Sequence, residues 1–208
     1  MVKLYVEGGG DGKDLRIECR RGFRVFLEKA GLKGNMPSVV ACGGRRNAFE
    51  SFCSAISNGE PAMLLVDSEG PVSATHQMGD PGAWQPWQHL EKRDGWAAPK
   101  GARDADCHLM VQVMESWFLA DPDALKAFFD QEFLENKLPA ASNRIENIDK
   151  EQVYRALKQA TQHCDTKGTY GKGAHSFKLL ASIDPAKVTA ASPWARRLID
   201  GLKKVMTP

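Results

Sequence analysis

Glu7 is followed by Gly8, Gly9 and Gly10 and then by Asp11, and further along the chain Asp67 and Glu69 flank a single serine. Each pair follows a short apolar run, Leu4-Tyr5-Val6 in one case and Ala62-Met63-Leu64-Leu65-Val66 in the other. Side chains two apart on an extended chain point the same way, roughly 7 Å apart, and a curling strand end brings them closer. Four carboxylates gathered in this way repel at neutral pH unless a cation neutralises them, and an all-oxygen donor set suits Mg²⁺ or Mn²⁺, as one or two ions. The glycines allow a phosphate to approach the backbone and keep side chains away from the ion. Taken singly, a glutamate before glycines also makes a turn, and Asp-x-Glu after a strand also caps a helix. Two such clusters leaving one sheet edge are harder to assign to turn chemistry.

The elements that must carry these residues can be read from apolar spacing. Lys3 to Val6 reads as a buried strand stopping at Glu7. Leu15, Cys19, Phe23, Phe26 and Leu27 recur at helical spacing through Ala30, with Gly31 placed for a left-handed cap. Ser38 to Ala41 reads as a second strand, Ala48 to Ile56 as a helix ending near Gly59, and Ala62 to Val66 as a third strand covered on both faces. Three strands with two intervening helices predict an α/β fold with a Rossmann-like, mostly parallel sheet flanked by helices. Residues 70–106 contain four prolines, five glycines and Trp84, Trp87 and Trp96 with little periodicity, and read as an insertion. Leu109 to Met114 reads as another strand, Asp121-Pro122 as a helix start, and the chain beyond Leu138 as helical, with starts at Asp149 and Ser192-Pro193. The expected organisation is an α/β domain over 1–138 and a helical C-terminal region over 139–208 packed on it.

A balance of 28 basic to 26 acidic side chains gives +2, so no overall field draws nucleic acid and any such binding falls to local patches. Five cysteines without a CxxC pair suggest reduced thiols, and with no leader or membrane-length apolar stretch the expected location is cytoplasmic, with no membrane partner. His108 and His163 adjoin Cys107 and Cys164 but match no zinc spacing. A Walker loop would need glycine at position 7 and Ser or Thr at position 14, where Glu7 and Asp14 stand. A dinucleotide fingerprint would need glycine at Lys13.

Val6-Glu7-Gly8 with Asp11, followed after two βα units by Leu65-Val66-Asp67-Ser68-Glu69, resembles the Toprim domain of topoisomerases, primases and OLD-type nucleases. Nearly the whole chain resembles the bacterial domain-of-unknown-function family 4276. That likeness runs through Val6-Glu7-Gly8, Gly43-Gly44-Arg45, Asp67-Ser68-Glu69, the segment from Met110 to Trp117, and Tyr170-x-Lys172-Gly173. The resemblance implies a Mg²⁺-dependent nuclease in which Glu7 is acid/base or ligand, Asp67 and Glu69 hold the ion, and Asp11 helps to support a second. Glu69 stands where the family more often has Asp. Glu115, closing the presumed Leu109 to Met114 strand, is a further metal candidate or a cap for the turn into Trp117. Lys172 and Arg45 are the cations placed by motif to act on a phosphate, with Gly8, Gly9, Gly10 and His175 as further substrate-binding candidates, although a histidine at a helix start more often caps or packs. The resemblance also implies an ABC/SMC-like ATPase partner in an anti-phage setting, so a non-catalytic subunit docked on that ATPase is the competing expectation, and a phosphatase a third. A homo-oligomer is left open, as is DNA against RNA. Arg20-Arg21-Arg24, Arg45-Arg46, Lys167-Lys172-Lys178 and Arg196-Arg197-Lys203-Lys204 are the basic groups that a nucleic-acid backbone would follow. The three tryptophans either stack on unpaired bases or form the insertion's own core or a partner surface.

Overall fold

A computed structural model describes residues 1–140 and 144–206; positions 141–143 and 207–208, within the expected C-terminal region, lie outside the described residues. Strands β1 (Lys3–Gly9), β2 (Ser38–Gly43), β3 (Ala62–Asp67) and β4 (Cys107–Met110) form a four-stranded sheet in the order β2-β1-β3-β4. All pairings are parallel, with Lys3 opposite both Ser38 and Ala62, and Asp67 opposite Met110. The α/β, Rossmann-like class read from the sequence is the one observed.

Alternation along the strands divides the core between two faces. Leu4, Val6, Met63, Leu65 and Met110 point into one cluster, where they meet α1 (Lys13–Leu27) through Cys19, Phe23 and Phe26. The same cluster takes Leu157 of α5 (Lys150–Ala160), Leu180 of α6 (Ser176–Ser182), Val188 of α7 (Pro185–Ala191) and Leu202 of α8 (Pro193–Met206). Tyr5, Leu64, Val66, Cys107 and Leu109 point the other way, onto Phe52 of α2 (Arg45–Ser57) and onto Trp84, Trp87 and Leu90. Every residue of β3 is buried, as its unbroken apolar run requires.

The insertion is more regular than its composition suggests. It contains α3 (Pro86–Asp94), with proline in the first turn and Gly95 at φ 72° as a left-handed C-terminal cap. Trp84 and Trp87 are buried, and Trp84 packs against Trp194 of α8 at 4.7 Å between ring centroids. They belong to the core, which corrects the base-stacking option for both. Trp96, half-buried, stacks on Phe49 at 4.6 Å. Arg197 of α8, 5% exposed, fastens insertion and sheet together by donating to the carbonyls of Pro81, Asp104 and Cys107. It cannot join a surface basic track. Beside it, burial pushes His108 down to about 3, so this histidine stays neutral.

Several strand ends differ from expectation, with β2 running on to Gly43, β3 to Asp67 and β4 beginning at Cys107. β1 continues through Glu7 to Gly9 because β2 runs alongside as far as Gly43. β4 stops at Met110; the Ser68 and Glu69 N–H groups still donate to the Met110 and Gln112 carbonyls, but without a regular ladder, and Met114–Ala120 forms a 3₁₀ segment. Asp121 then caps α4 (Pro122–Phe129) by accepting from the Ala124 N–H, as its Asp-Pro signature predicts.

Helices α1 and α6 cross closely at Gly22, where a Cβ would fall 2.6 Å from the Phe177 carbonyl oxygen. Gly22→Ala is therefore expected to cost about 1–3 kcal/mol by forcing two backbones apart. Urea unfolding measures this, and an unchanged midpoint would contradict the close crossing.

Candidate metal centre

The strand order reverses between β1 and β3, since the chain leaves β1 for β2 on one side and returns to β3 on the other. Open parallel sheets bind ligands at such a switch point, beyond the carboxyl ends of the strands. Glu7, near the end of β1, and Asp67, the last residue of β3, both stand there. They are joined directly, because the Asp67 N–H donates to Glu7 Oε2 at 3.1 Å. Asp67 is 3% exposed, and its Oδ1 accepts the Met114 N–H at 2.8 Å, which folds the chain after β4 back over the site. Glu69 has a φ of 62°, a left-handed conformation costing a non-glycine residue on the order of 1 kcal/mol, and its N–H donates to the Gln112 carbonyl at 2.8 Å. Carboxylate oxygens of Glu7, Asp67 and Glu69 lie within 4.8 Å of one another. A hard divalent ion fits this all-oxygen set.

The electrostatics are those of a cluster short of positive charge. Burial pushes the Glu7 carboxyl up to about 7, with Glu69 adding repulsion and the Asp67 N–H and Arg45 opposing. Burial, then the charges of Glu7 and Glu115, hold Asp67 well above the ordinary carboxylate range. Burial would raise Glu69 too, but Lys150, which donates to Oε2 at 2.6 Å, and Arg93 at 3.8 Å bring it below its usual value.

A cavity of about 300 Å³ opens beside the carboxylates, bordered by Glu7, Asp67, Glu115, Lys172 and the glycine run. Gly9 has a φ of 90°, and a Cβ there would lie 2.8 Å from Arg16 Cα, so tight packing on α1 also demands glycine. Glu115 is completely buried and accepts from Tyr170 Oη at 3.1 Å, Ser176 Oγ at 3.0 Å and Tyr154 Oη at 3.3 Å. It backs the cavity but is not one of the three clustered ligands, so its expected metal role gives way to a hydroxyl-bound one. Lys172 Nζ donates to Tyr154 Oη at 2.9 Å.

Other expected site residues stand elsewhere. Asp11 is exposed in the loop after β1 and outside the carboxylate cluster, because the turn at Gly10 carries it away from the sheet edge. His175 closes its own loop, accepting from the Gly171 N–H at Nδ1 and meeting the Lys167 carbonyl at Nε2. Its ring packs 5.4 Å from that of Phe129, and burial lowers its pKa, so it is a packing residue rather than a substrate ligand. Arg45 turns inward, where Nε donates to the Asp67 carbonyl at 3.1 Å and lies 3.7 Å from Glu7, while Nη1 pairs with Asp94 at 2.5 Å. It braces the carboxylates instead of offering a free fork to phosphate. Of the basic groups, Arg46 pairs with Glu50 and Arg24 with Glu28, whereas Arg20 and Arg21 are exposed or nearly so on α1.

Sequence reasoning missed Lys150, Arg93 and Tyr154. Lys150 and Tyr154 lie four apart on α5, one turn of helix, and that spacing is their only local signal.

The raised Glu7 pKa fixes a pH dependence. A carboxyl whose folded pKa exceeds its unfolded one stabilises the fold fully below the unfolded value and loses that contribution as pH rises through the folded value. With EDTA, stability should therefore fall between about pH 4.5 and 7, by on the order of 1–3 kcal/mol. Melting curves should show this fall, a smaller one in Glu7→Gln, and its reversal by millimolar Mg²⁺. Identical profiles for both proteins would contradict it.

Among the described residues no helix is long and apolar enough to cross a membrane. Comparison with curated proteins and with solved structures finds no match. The sequence profile of one family, described as a domain of unknown function (DUF4276), matches residues 6–203. That span holds every residue of the centre, from Glu7 to Lys172, and the chain therefore belongs to the DUF4276 family.

Proposed function

We propose that the chain is a Mg²⁺- or Mn²⁺-dependent phosphodiesterase of Toprim type that cleaves nucleic acid. One observation carries this reading: three carboxylates from the ends of β1 and β3 converge within 4.8 Å at the switch point of a parallel sheet. Glu7, Asp67 and Glu69 would hold the ion. A divalent cation there supplies Lewis-acid polarisation of a phosphate and lowers the pKa of water. Glu7, whose Oε2 is engaged by the Asp67 N–H, has its other oxygen to offer to the ion or, as a base, to the attacking water. Asp67, locked by the Met114 N–H, orients the ligand set, and the apolar wall of Met110, Met114 and Phe177 limits bulk water. Lys172 faces the phosphate. The Toprim likeness of Val6-Glu7-Gly8 and Asp67-Ser68-Glu69 supports the nuclease assignment. An ABC/SMC-like ATPase partner and an anti-phage role rest on that likeness alone, and form part of the same proposal.

A second reading, a non-catalytic subunit docked on such an ATPase, is favoured by one feature. Glu69 is already engaged by Lys150 and Arg93, so the cluster is partly neutralised by the protein itself.

Nicking of labelled DNA and RNA with Mg²⁺ or Mn²⁺ decides between them. Glu7→Gln and Asp67→Asn should each lose about 100-fold or more in rate, the scale of removing a group that acts at the transition state. Asp11→Asn should stay within about threefold, as befits an exposed carboxylate. Unchanged cleavage in the first two variants, or none in the wild type, removes the enzyme reading. Phosphate release from small monoesters without nicking would make the protein a phosphatase.

A further inference from the structure

Among the described residues bordering the cavity, Lys172 is the sole cation, and it is exposed, so donors not used by the protein face solvent. An ammonium has three N–H donors. Among the described residues Lys172 has one hydrogen-bond acceptor, Tyr154 Oη at 2.9 Å, with the Tyr154 ring centroid 5.2 Å from Nζ and no ion pair. Burial would lower its pKa, yet Glu115, Asp67, Glu7 and Glu69 together raise it, so the charge is secure.

A lysine among four carboxylates would ordinarily settle onto one of them. For Glu115, which also borders the cavity, the obstacle is occupancy. Its Oε1 already accepts from Tyr170 and Ser176, and its Oε2 accepts from Tyr154. Because Tyr154 gives its hydroxyl proton to Glu115, an oxygen lone pair is left for Lys172. A neutral oxygen thus holds the ammonium in place without neutralising it, and two donors remain for a ligand in the cavity. Phosphate oxygens match that need, since charge-assisted N–H to phosphate bonds are among the stronger ones.

We infer that Glu115 and Tyr154 are positioning residues that hold the Lys172 ammonium, charged and unpaired, as the receptor for a phosphate group in this cavity. The inference rests on the phosphodiesterase reading for its substrate, but the phosphate site can be tested apart from turnover. Inorganic phosphate is titrated calorimetrically into the Mg²⁺-loaded protein, alongside hydrolysis of the chromogenic diester bis(p-nitrophenyl) phosphate. Lys172→Met and Tyr154→Phe should each weaken phosphate binding on the order of tenfold, the scale of a charged hydrogen bond. The double variant should be no weaker than Lys172→Met alone, because the tyrosine acts only through the lysine. Melting temperature and Mg²⁺ affinity of Tyr154→Phe should stay near wild type, and Glu115→Gln should weaken phosphate in the same direction. Additive losses, wild-type phosphate affinity in Tyr154→Phe, no phosphate binding by the wild type, or parallel loss of Mg²⁺ affinity and stability would overturn the inference. If phosphate follows the expected pattern while no diester is hydrolysed, the enzyme reading falls and the phosphate receptor stands. Hydrolysis without that pattern leaves the enzyme reading in place and removes the phosphate receptor.

Discussion

The Asp67 N–H bond to Glu7 Oε2 holds two carboxylate-bearing strand ends together where the sheet leaves little room for water. Backbone geometry imposes this closeness, since β1 and β3 are hydrogen-bonded neighbours that present their carboxyl ends at the same edge. Side-chain rotation cannot relieve it, because Asp67 is also pinned by the Met114 N–H. Burial above all, with the repulsion of neighbouring carboxylates added to it, raises the Glu7 and Asp67 carboxyl pKa values, which is the form that an unmet demand for positive charge takes in a buried site. Clustered perturbed groups in a cleft are a recognised sign of function, and here the perturbation has a structural cause in the strand pairing itself.

The surrounding cations divide into two kinds. Arg45, Arg93 and Lys150 are already engaged by protein acceptors and set the charge balance of the cluster from outside. Lys172 is held by a phenol and borders the cavity. The difference is produced by the C-terminal helices, which pack on one sheet face and deliver Tyr154 and Ser176 to Glu115, while the insertion packs on the other face and delivers Arg93. Both coverings of the sheet therefore contribute to a site whose three clustered carboxylates come only from its strands and their ends.

The strands, the first two helices and the positions of Glu7, Asp67 and Glu69 were legible because local signals agree: apolar runs that end abruptly in acids and glycines. The strand read for Leu109 to Met114 was placed too far along the chain, because the ladder with β3 already begins at Cys107 and the segment after Met110 turns to bring the Met114 N–H onto Asp67. Helix α3 was hidden by the density of proline and tryptophan, although its Pro86 start and Gly95 stop were both present in the sequence. Asp11 was grouped with Glu7 by proximity in sequence, which a turn of left-handed glycines undoes. Lys150 and Tyr154 were illegible for the converse reason, since nothing near them in sequence indicates that α5 lies across an edge built from residues 7 and 67. His175 and Arg45 sat in suggestive loops, but hydrogen bonds to His175 Nδ1 and from Arg45 Nε turn both inward.

The most direct measurement is anomalous diffraction from crystals soaked in Mn²⁺. A peak about 2.0–2.2 Å from carboxylate oxygens of Glu7 and Asp67, with Glu69 turned toward it, is the expected result for an octahedral oxygen site. A clean map at that edge, or manganese bound only on surface carboxylates such as Asp11, would contradict the account.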